Sequence, residues 1–265
     1  NGVGGGSAVQ ITAGVNLSYG NISGFQGAGL FNRTRGEVDG LQLAGIMNRA
    51  SGKVRTQIAL LGNRATQVQK AQLALLLNKT TILEGFQFAL VNIADTVRRG
   101  AVPVSLLTIV KSGYNRVEVA AADFLSAGLA WKPGTHAFYN IFYGGFRWQT
   151  GEQIWGLGYG IGSAPQLGSR FLLNLELLGI QIKESGPWFE QLHLLNQFRC
   201  LLGAIVGKRT EFFAGPTANL MLSKKYNPET DIRGSAFVPR TLYEFTDARG
   251  LNRKFWIGFN AGLRF

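Results

Sequence analysis

A short motif recurs through the first part of the chain, and its regular spacing limits the folds that the chain can adopt. Its clearest copy is Leu41-Gln42-Leu43-Ala44-Gly45-Ile46-Met47-Asn48, in which Gln is followed after two residues by a small side chain and after six by Asn. Successive glutamines lie 15 or 16 residues apart. The glutamines of the array are Gln10, Gln26, Gln42, Gln57, Gln72 and Gln87, and its asparagines are Asn16, Asn32, Asn48, Asn63, Asn78 and Asn92.

A period of this length is too short for a pair of helices. Each unit alternates residue by residue, with Gln, the small residue and Asn on one face and Leu, Ile or Phe on the other. We therefore predict a strand, a turn and a shorter second strand per unit, stacked into a β-solenoid in which Gln and Asn form side-chain ladders. An antiparallel meander with the same spacing is the alternative. A degenerate unit with Pro103 in the Gln position marks the end of the array.

The rest of the chain predicts longer alternating strands. Their length exceeds the usual five or six residues, and aromatic residues gather near their ends. Seven strands are clear, and an eighth is either Val102–Val110 or a segment near 237–245. The seven segments are 117–131, 138–148, 154–162, 171–182, 189–206, 211–222 and 255–265. This pattern predicts an antiparallel barrel of about eight strands, which gives an all-β chain with a solenoid over 1–110 and a barrel over 111–265.

The two faces of these strands differ in character. A soluble sandwich buries its apolar face, whereas a transmembrane barrel turns that face to lipid and its polar face inward. We predict the second arrangement, with Glu176 and Arg199 paired on neighbouring strands. Side chains fill the interior of a barrel this small, which argues against a porin. The predicted interior residues are Asn174, Glu176, His193, Gln197, Arg199, Asn260 and Arg264.

The chain carries a net charge of +12, although only 16% of its residues are charged. Its basic residues lie in turns and loops rather than in a helix-borne cluster, so we expect them to contact lipid phosphates or to serve solubility alone, and we expect no nucleic acid as a partner. The single cysteine, Cys200, lies within a predicted strand and is expected to act as a small apolar side chain.

The stretch 224–253 is long for a simple connection between two strands. It combines basic residues with aromatic residues of the kind that interfaces favour. We predict that it contacts a partner or lipid, with a solvated loop as the alternative. The candidate contact residues are Lys224, Lys225, Tyr226, Arg233, Phe237, Arg240, Tyr243 and Phe245.

Two segments resemble known bacterial families. The last strand, Phe255-Trp256-Ile257-Gly258-Phe259-Asn260-Ala261-Gly262-Leu263-Arg264-Phe265, resembles the C-terminal signal of outer-membrane β-barrels. The array, with Gly85-Phe86-Gln87-Phe88-Ala89-Leu90-Val91-Asn92, resembles surface-repeat proteins of Gram-negative bacteria. The resemblance implies a bacterial outer-membrane location and contact with outer-membrane lipid or lipopolysaccharide. It carries over no catalytic motif.

Some eight-stranded barrels of this kind modify lipid A with a His and a Ser or acid. The candidate here is His193 with Glu176 or Glu190, although a structural polar residue is the favoured reading of His193. No ligand spacing predicts a metal site, and no motif predicts a cofactor. We therefore predict a non-enzymatic outer-membrane protein that presents its repeat domain as an anchor or scaffold in an envelope complex. The alternatives are a lipid A-modifying enzyme and a soluble, secreted all-β binding protein.

Overall fold

The protein is built from strands, as shown by a computed structural model that describes residues 2–3, 6–148, 153–184, 188, 191–207, 210–227, 232–235, 238 and 241–265. No helix occurs among these residues. The chain forms two compact units, Asn1–Asn115 with Pro133–Phe138, and Arg116–Lys132 with Tyr139–Phe265. The first is a parallel β-solenoid and the second is a closed antiparallel barrel. The predicted fold class is confirmed.

The solenoid strands form one parallel twelve-stranded sheet that wraps around each coil, with a long-strand face and a short-strand face. All of its strand pairs are parallel, which excludes the meander. Its strands are β1 (Gly2–Val3), β2 (Gly6–Thr12), β3 (Val15–Ser18), β4 (Ile22–Ala28), β5 (Phe31–Thr34), β6 (Val38–Ala44), β7 (Met47–Ala50), β8 (Lys53–Ala59), β9 (Gly62–Leu73), β10 (Leu77–Leu83), β11 (Phe86–Val97) and β12 (Val102–Val110).

Each early coil consists of one long and one short strand, as the motif predicts. The long strands stack Gln on Gln, and the short strands stack Asn on Asn. The repeat shortens from 16 to 15 residues at β6, where the register with β8 shifts between Val38 and Leu41. A column of small and branched apolar side chains fills one side of the thin core. This column includes Val38, Val54, Val68, Leu83 and Val110.

The array ends at β12, which pairs with β11 and with no other strand among the described residues. Val102–Val110 is therefore a solenoid strand, and its assignment as the eighth barrel strand was wrong. Pro103 lies opposite Gln87 in this edge strand. Proline has no backbone N–H to donate, so it is tolerated at an edge, where it also hinders the addition of another strand.

The barrel closes because its first strand pairs with its last. Its eight strands follow one another around the barrel, and four short strands among the described residues lie outside this closed path. The barrel strands are β13 (Arg116–Ala122), β14 (Ala127–Lys132), β15 (Tyr139–Arg147), β16 (Ile154–Ser163), β18 (Phe171–Lys183), β19 (His193–Val206), β20 (Thr210–Ser223) and β24 (Asn252–Arg264). The short strands are β17 (Gln166–Leu167), β21 (Tyr226–Asn227) and β22 (Ile232–Arg233), with a fourth segment, β23 (Tyr243–Thr246), paired to β24.

The eighth strand comes from a segment that the alternation predicted as one strand. The predicted strand 117–131 is divided into β13 and β14 by the connection 123–126. Apolar alternation continues on both sides of this connection, so periodicity alone did not reveal it. The segment near 237–245 is not the eighth strand, because β23 pairs only with β24 among the described residues. The predicted strand 189–206 begins later, at His193.

Alternate glycines in β16 lie where neighbouring strands approach closely. A Cβ atom on Gly160 would lie 2.4 Å from the Leu177 carbonyl oxygen, and one on Gly158 would lie 2.9 Å from the Gly179 carbonyl oxygen. The glycines leave room for larger inward side chains, including those of Tyr139 and Ile180.

Candidate functional site

The predicted glutamine ladder runs through the solenoid. Each Nε2 donates to the Oε1 of the preceding copy, from Gln57 to Gln42 at 2.7 Å and from Gln72 to Gln57 at 2.7 Å. The same bond joins Gln87 to Gln72, Gln42 to Gln26 and Gln26 to Gln10. All six glutamines are buried, so the ladder satisfies amides that would be costly to bury alone. The prediction that three central glutamines share one ladder is confirmed.

The asparagine ladder runs in the opposite direction. Asn48 Nδ2 donates to Asn63 Oδ1 at 2.9 Å, and the same group donates to the Ile58 carbonyl oxygen at 2.7 Å. This second bond recurs in every coil, and it satisfies a carbonyl next to the turn between the long and short strands. The ladders link Asn16, Asn32, Asn48, Asn63, Asn78 and Asn92. They are structural elements that fix the register of successive coils.

The barrel interior contains a fully buried cluster of acidic and basic side chains. Its cations are Lys132, Arg199 and Arg264, and its anions are Glu118, Glu176 and Glu211. Three formal positive charges therefore balance three formal negative charges within this cluster. This balance is the condition under which buried ions are tolerated.

Arg264 holds three of these carboxylates together. Its Nε lies 2.6 Å from Glu118 Oε2, and its Nη1 lies 2.8 Å from Glu211 Oε1. Its guanidinium also lies over the Phe213 ring, 4.0 Å from the ring centroid. The predicted pairing of Glu176 with Arg199 is present at 3.6 Å. Side chains fill the interior at this level, as expected for a barrel of eight strands.

The other predicted interior residues are also buried. Gln197 donates to Asn219 Oδ1 at 2.6 Å, and Asn174 donates to Glu211 Oε1 at 3.0 Å. Asn260 is buried in β24. The sequence pattern did not identify three members of the charged cluster, because they lie at strand ends or in a predicted turn. Strand parity could have identified them, since Glu118, Lys132 and Glu211 share the inward parity of their strands.

A second polar cluster surrounds His193 at the end of the barrel where β18 ends and β19 begins. His193 Nδ1 lies 2.7 Å from Ser223 Oγ, and its Nε2 lies 2.7 Å from Glu184 Oε1. Lys225 Nζ donates to Glu184 Oε2 at 2.8 Å, and Ser235 Oγ donates to Glu184 Oε1. Serine, histidine and carboxylate thus follow one another in hydrogen-bond contact.

The environment keeps Glu184 ionised. Burial alone would raise the pKa of this carboxyl, but the hydrogen bond and the charge of His193, together with hydrogen bonds from Lys225 and Ser235, lower it to about 2. An ionised Glu184 fixes the imidazole ring and favours a proton on Nε2. When the imidazole is neutral, its Nδ1 can accept a hydrogen bond from the Ser223 hydroxyl, which is the arrangement of base and nucleophile in serine hydrolases.

The acid that contacts His193 in the structure, Glu184, was not among the predicted partners. Glu176 belongs to the central charged cluster, so its assignment to His193 was wrong, and Glu190 lies outside the described residues. Glu184 was missed because it directly follows β18 in a predicted turn. Ser223 was missed because it is the last residue of β20, beyond the predicted strand. Ser223 and His193 face each other across paired strands, a relation that requires the register.

The candidate contact residues of 224–253 are partly described. Lys224, Tyr226, Tyr243 and Phe245 are exposed, whereas Lys225 is bonded to Glu184. Phe237 and Arg240 lie outside the described residues, as does the side chain of Arg233. Tyr243 and Phe245 lie on β23, so this stretch contains more regular structure than its sequence predicted.

No known family model, curated protein or solved structure matches the chain. The described residues include no membrane-spanning helix. The same residues contain no group of three His, Cys, Asp or Glu side chains placed to hold a metal ion.

Proposed function

We propose that this chain is a non-enzymatic bacterial outer-membrane protein, whose barrel anchors a β-solenoid that binds other envelope proteins. The observation that carries this proposal is the inverted polarity of the barrel. Its charged cluster is fully buried, whereas large apolar side chains are exposed around the outside. Water-exposed proteins do not commonly leave apolar surface of this extent uncovered, whereas a lipid-facing barrel requires it.

The outward residues form a continuous apolar band. Val119, Leu129, Leu157, Leu177 and Ile257 come from different strands, and each is about half exposed. Asn140, Tyr159 and Asn196 interrupt the band, and Asn140 donates to the Tyr159 hydroxyl at 2.8 Å. The band therefore has few polar groups that lipid would leave unsatisfied.

Aromatic side chains border this band. Phe146, Trp148 and Trp155 form one contacting group, with Phe146 between the two indoles. Trp131 and Phe142 stack near the other end of the strands, with ring centroids 5.5 Å apart. Aromatic girdles at the two membrane interfaces are typical of outer-membrane barrels. Trp256 is an exception, since it is buried inside the barrel and donates to Asp123 at 2.6 Å.

The lengths of the connections support one orientation. The connections 133–138, 164–170 and 207–209 lie at the barrel end where β13 begins, and 123–126, 148–153, 184–192 and 224–251 lie at the opposite end. Outer-membrane barrels place their short turns in the periplasm and their longer loops outside the cell. We therefore propose that the chain enters β13 from the periplasmic side, with the stretch 224–251 on the extracellular side, where lipopolysaccharide is its expected contact.

The membrane proposal predicts that a charge on the apolar band disrupts assembly. Leu177 lies near the middle of β18 and is 57% exposed. Leu177→Arg should prevent most of the protein from assembling in the outer membrane, because Arg at the bilayer midplane costs about 2–4 kcal/mol. The measurement is membrane fractionation with detergent extraction. Leu242→Arg, at a 69% exposed position outside the strands, is the control that should assemble normally.

The soluble alternative gives the opposite result. A soluble protein would purify without detergent, and Leu177→Arg would improve its solubility. Recovery of the unmodified chain in the soluble fraction would contradict the membrane proposal.

A second candidate function is ester hydrolysis at Ser223, supported by the 2.7 Å contacts on both sides of His193. The expected substrate class is an acyl ester of an envelope lipid. Ser223 is fully buried, so the residues that cover it would have to move before a substrate could bind. This requirement is the reason that the anchoring function is preferred.

The hydrolase candidate predicts covalent labelling of Ser223 by a fluorophosphonate ester. The unmodified chain should be labelled, and both Ser223→Ala and His193→Ala should lose at least about 90% of the label, because nucleophile and base act as a unit. Mass spectrometry of the labelled peptide is the measurement. Ser51→Ala, at an exposed serine of the solenoid, should retain full labelling. No labelling of the folded, unmodified chain would exclude this candidate.

A further inference from the structure

Four basic side chains stack directly on one another along the short-strand face of the solenoid. The register places Arg33 beside Arg49, Arg49 beside Arg64, and Arg64 beside Lys79. All four are exposed. Neighbouring strands lie about 4.8 Å apart, so this cationic row extends roughly 14 Å along the solenoid.

The cationic row has no acidic counterpart within the described solenoid. In the described part of the solenoid, ion pairs join Arg55 to Asp39 and Lys111 to Asp95, and neither pair involves the row. Like charges directly opposite each other destabilise a sheet. A row that repeats such charges through four coils is therefore suited to an anionic ligand that offers charges at several points.

An apolar edge lies directly beside the cationic row. Two residues before each cation, the same face carries Phe31, Met47, Gly62 and Leu77. The adjoining corners of the coils, which are turns in the early coils and lie within β11 and β12 in the last two, expose a series of leucines at about half of their surface. These leucines are Leu30, Leu60, Leu61, Leu75, Leu76, Leu90 and Leu106.

The opposite edge of the solenoid has a different character. Its turns carry Arg35, Glu37, Lys53, Arg98 and Arg99, and they expose few large apolar side chains. The solenoid is therefore amphipathic from one edge to the other, with the cationic row at the boundary on its short-strand face.

We infer that this edge binds the surface of an anionic phospholipid membrane, with the leucines in the acyl boundary and the cationic row at the phosphates. A strand rises about 3.3 Å per residue, so the cations lie roughly 7–10 Å behind the leucine edge. Interfacial elements bury their apolar face by about 5–10 Å. The depth of the apolar edge and the position of the charges thus match a headgroup layer.

A nucleic acid would match the charges but leave the leucines exposed. A protein partner would require a matching acidic and apolar groove, and it is the competing outcome of the test. This inference goes beyond the anchoring function, because it gives the repeat domain a lipid surface to bind, whether or not the barrel itself lies in a membrane.

The test places a fluorescent probe on each edge of one coil. The full chain with Cys200→Ala is labelled with an environment-sensitive dye at Leu76→Cys on the apolar edge, or at Thr81→Cys on the polar edge. Neutral phosphatidylcholine nanodiscs hold the barrel, and vesicles with or without phosphatidylglycerol are then added. If the chain purifies without detergent, the same vesicles are added to it directly. Failure of the barrel proposal can then be distinguished from failure of the inference that the solenoid edge binds lipid.

We expect the dye at Leu76→Cys to brighten and shift to the blue only with vesicles that contain phosphatidylglycerol, and the dye at Thr81→Cys to remain unchanged. Arg49→Gln with Arg64→Gln should weaken vesicle binding about thirtyfold, from the usual contribution of a basic residue at an anionic surface. Arg98→Gln with Arg99→Gln removes the same charge from the other edge and should weaken it much less.

Three results would overturn the inference. Equal responses of the two dyes would exclude an oriented edge. Equal binding to neutral vesicles would exclude a role of the cationic row. Absence of any vesicle binding, together with capture of an envelope protein that depends on Arg49 and Arg64, would assign the face to a protein partner.

Discussion

Replacing Arg264 with methionine should destabilise the barrel by about 3–5 kcal/mol, the usual cost of removing one partner from a buried ion pair. Arg264 contacts Glu118 and Glu211 at 2.6 and 2.8 Å, and it contacts Glu176 at 3.3 Å. Its removal leaves the buried cluster with one excess negative charge. Methionine preserves most of the apolar contact with Phe213, so the expected loss comes mainly from the charge.

Two variants separate the charge from the loss of a long side chain. Arg253→Met changes the same residue type on the outward side of β24, where Arg253 pairs with Asp247 and is 35% exposed. It should cost no more than about 1 kcal/mol. Arg264→Met with Glu211→Gln restores neutrality and should recover much of the loss.

The measurement is the fraction of folded barrel in a urea titration, detected by the mobility of unheated samples in a detergent gel. Equal midpoints for Arg264→Met and Arg253→Met would show that the central cluster does not stabilise the barrel. A neutral double variant no more stable than the single variant would show that charge balance is not the cause.

The repeat domain was predictable because each coil satisfies a local rule that the sequence repeats. The alternation of apolar and polar residues places Gln42 and Asn48 on the buried face of the coil. Identical amide side chains at a fixed period can satisfy each other's hydrogen bonds only when their coils stack. The end of the glutamine ladder was predictable for the same reason, because Pro103 has no side-chain amide that could continue the ladder. The shift of register at Val38 follows from the change of spacing, but its position within β6 does not.

The barrel was predictable in type but not in detail. Alternation identified which face of each strand is apolar, and Glu176 and Arg199 were correctly paired. Strand boundaries were less certain, because a tight connection such as 123–126 can interrupt a segment without interrupting its apolar pattern. As a result, the eighth strand was sought in the wrong segments.

The His193 cluster could not be predicted, because its members come from three distant parts of the sequence. Ser223 faces His193 across β19 and β20, and Glu184 follows β18. No local motif links these residues. Their association depends on the register and on strand ends, the two features that a single sequence determines least well.

Replacing Gln57 with leucine should destabilise the solenoid by about 2–5 kcal/mol. Gln57 donates to Gln42 and accepts from Gln72, both at 2.7 Å. Leucine is similar in volume but has no amide, so it leaves one buried acceptor and one buried donor without a partner. Each unsatisfied group costs about 1–3 kcal/mol. Gln69→Leu, at a partly exposed glutamine outside the ladder, is the control and should cost less than about 1 kcal/mol.

If the glutamines stabilise the solenoid through the bonds between coils, the costs of two neighbouring substitutions should not add. Gln42→Leu also breaks two ladder bonds, one to Gln26 and one to Gln57. In the double variant, Gln42→Leu with Gln57→Leu, the two leucines lie against each other, and only Gln26 and Gln72 lose a ladder partner. The number of broken ladder ends is therefore the same in the double variant as in either single variant.

The double variant should consequently cost about as much as one single variant, and less than the sum of both by roughly 2–5 kcal/mol, which is the cost of one single variant. Pulse proteolysis across a urea titration, with cleavage followed in the solenoid, measures all three variants and the control. If the costs of Gln42→Leu and Gln57→Leu add, each glutamine stabilises its own coil independently. If the double variant costs no more than a single one, the stability lies in the bonds between coils, and the ladder behaves as one cooperative element along the solenoid.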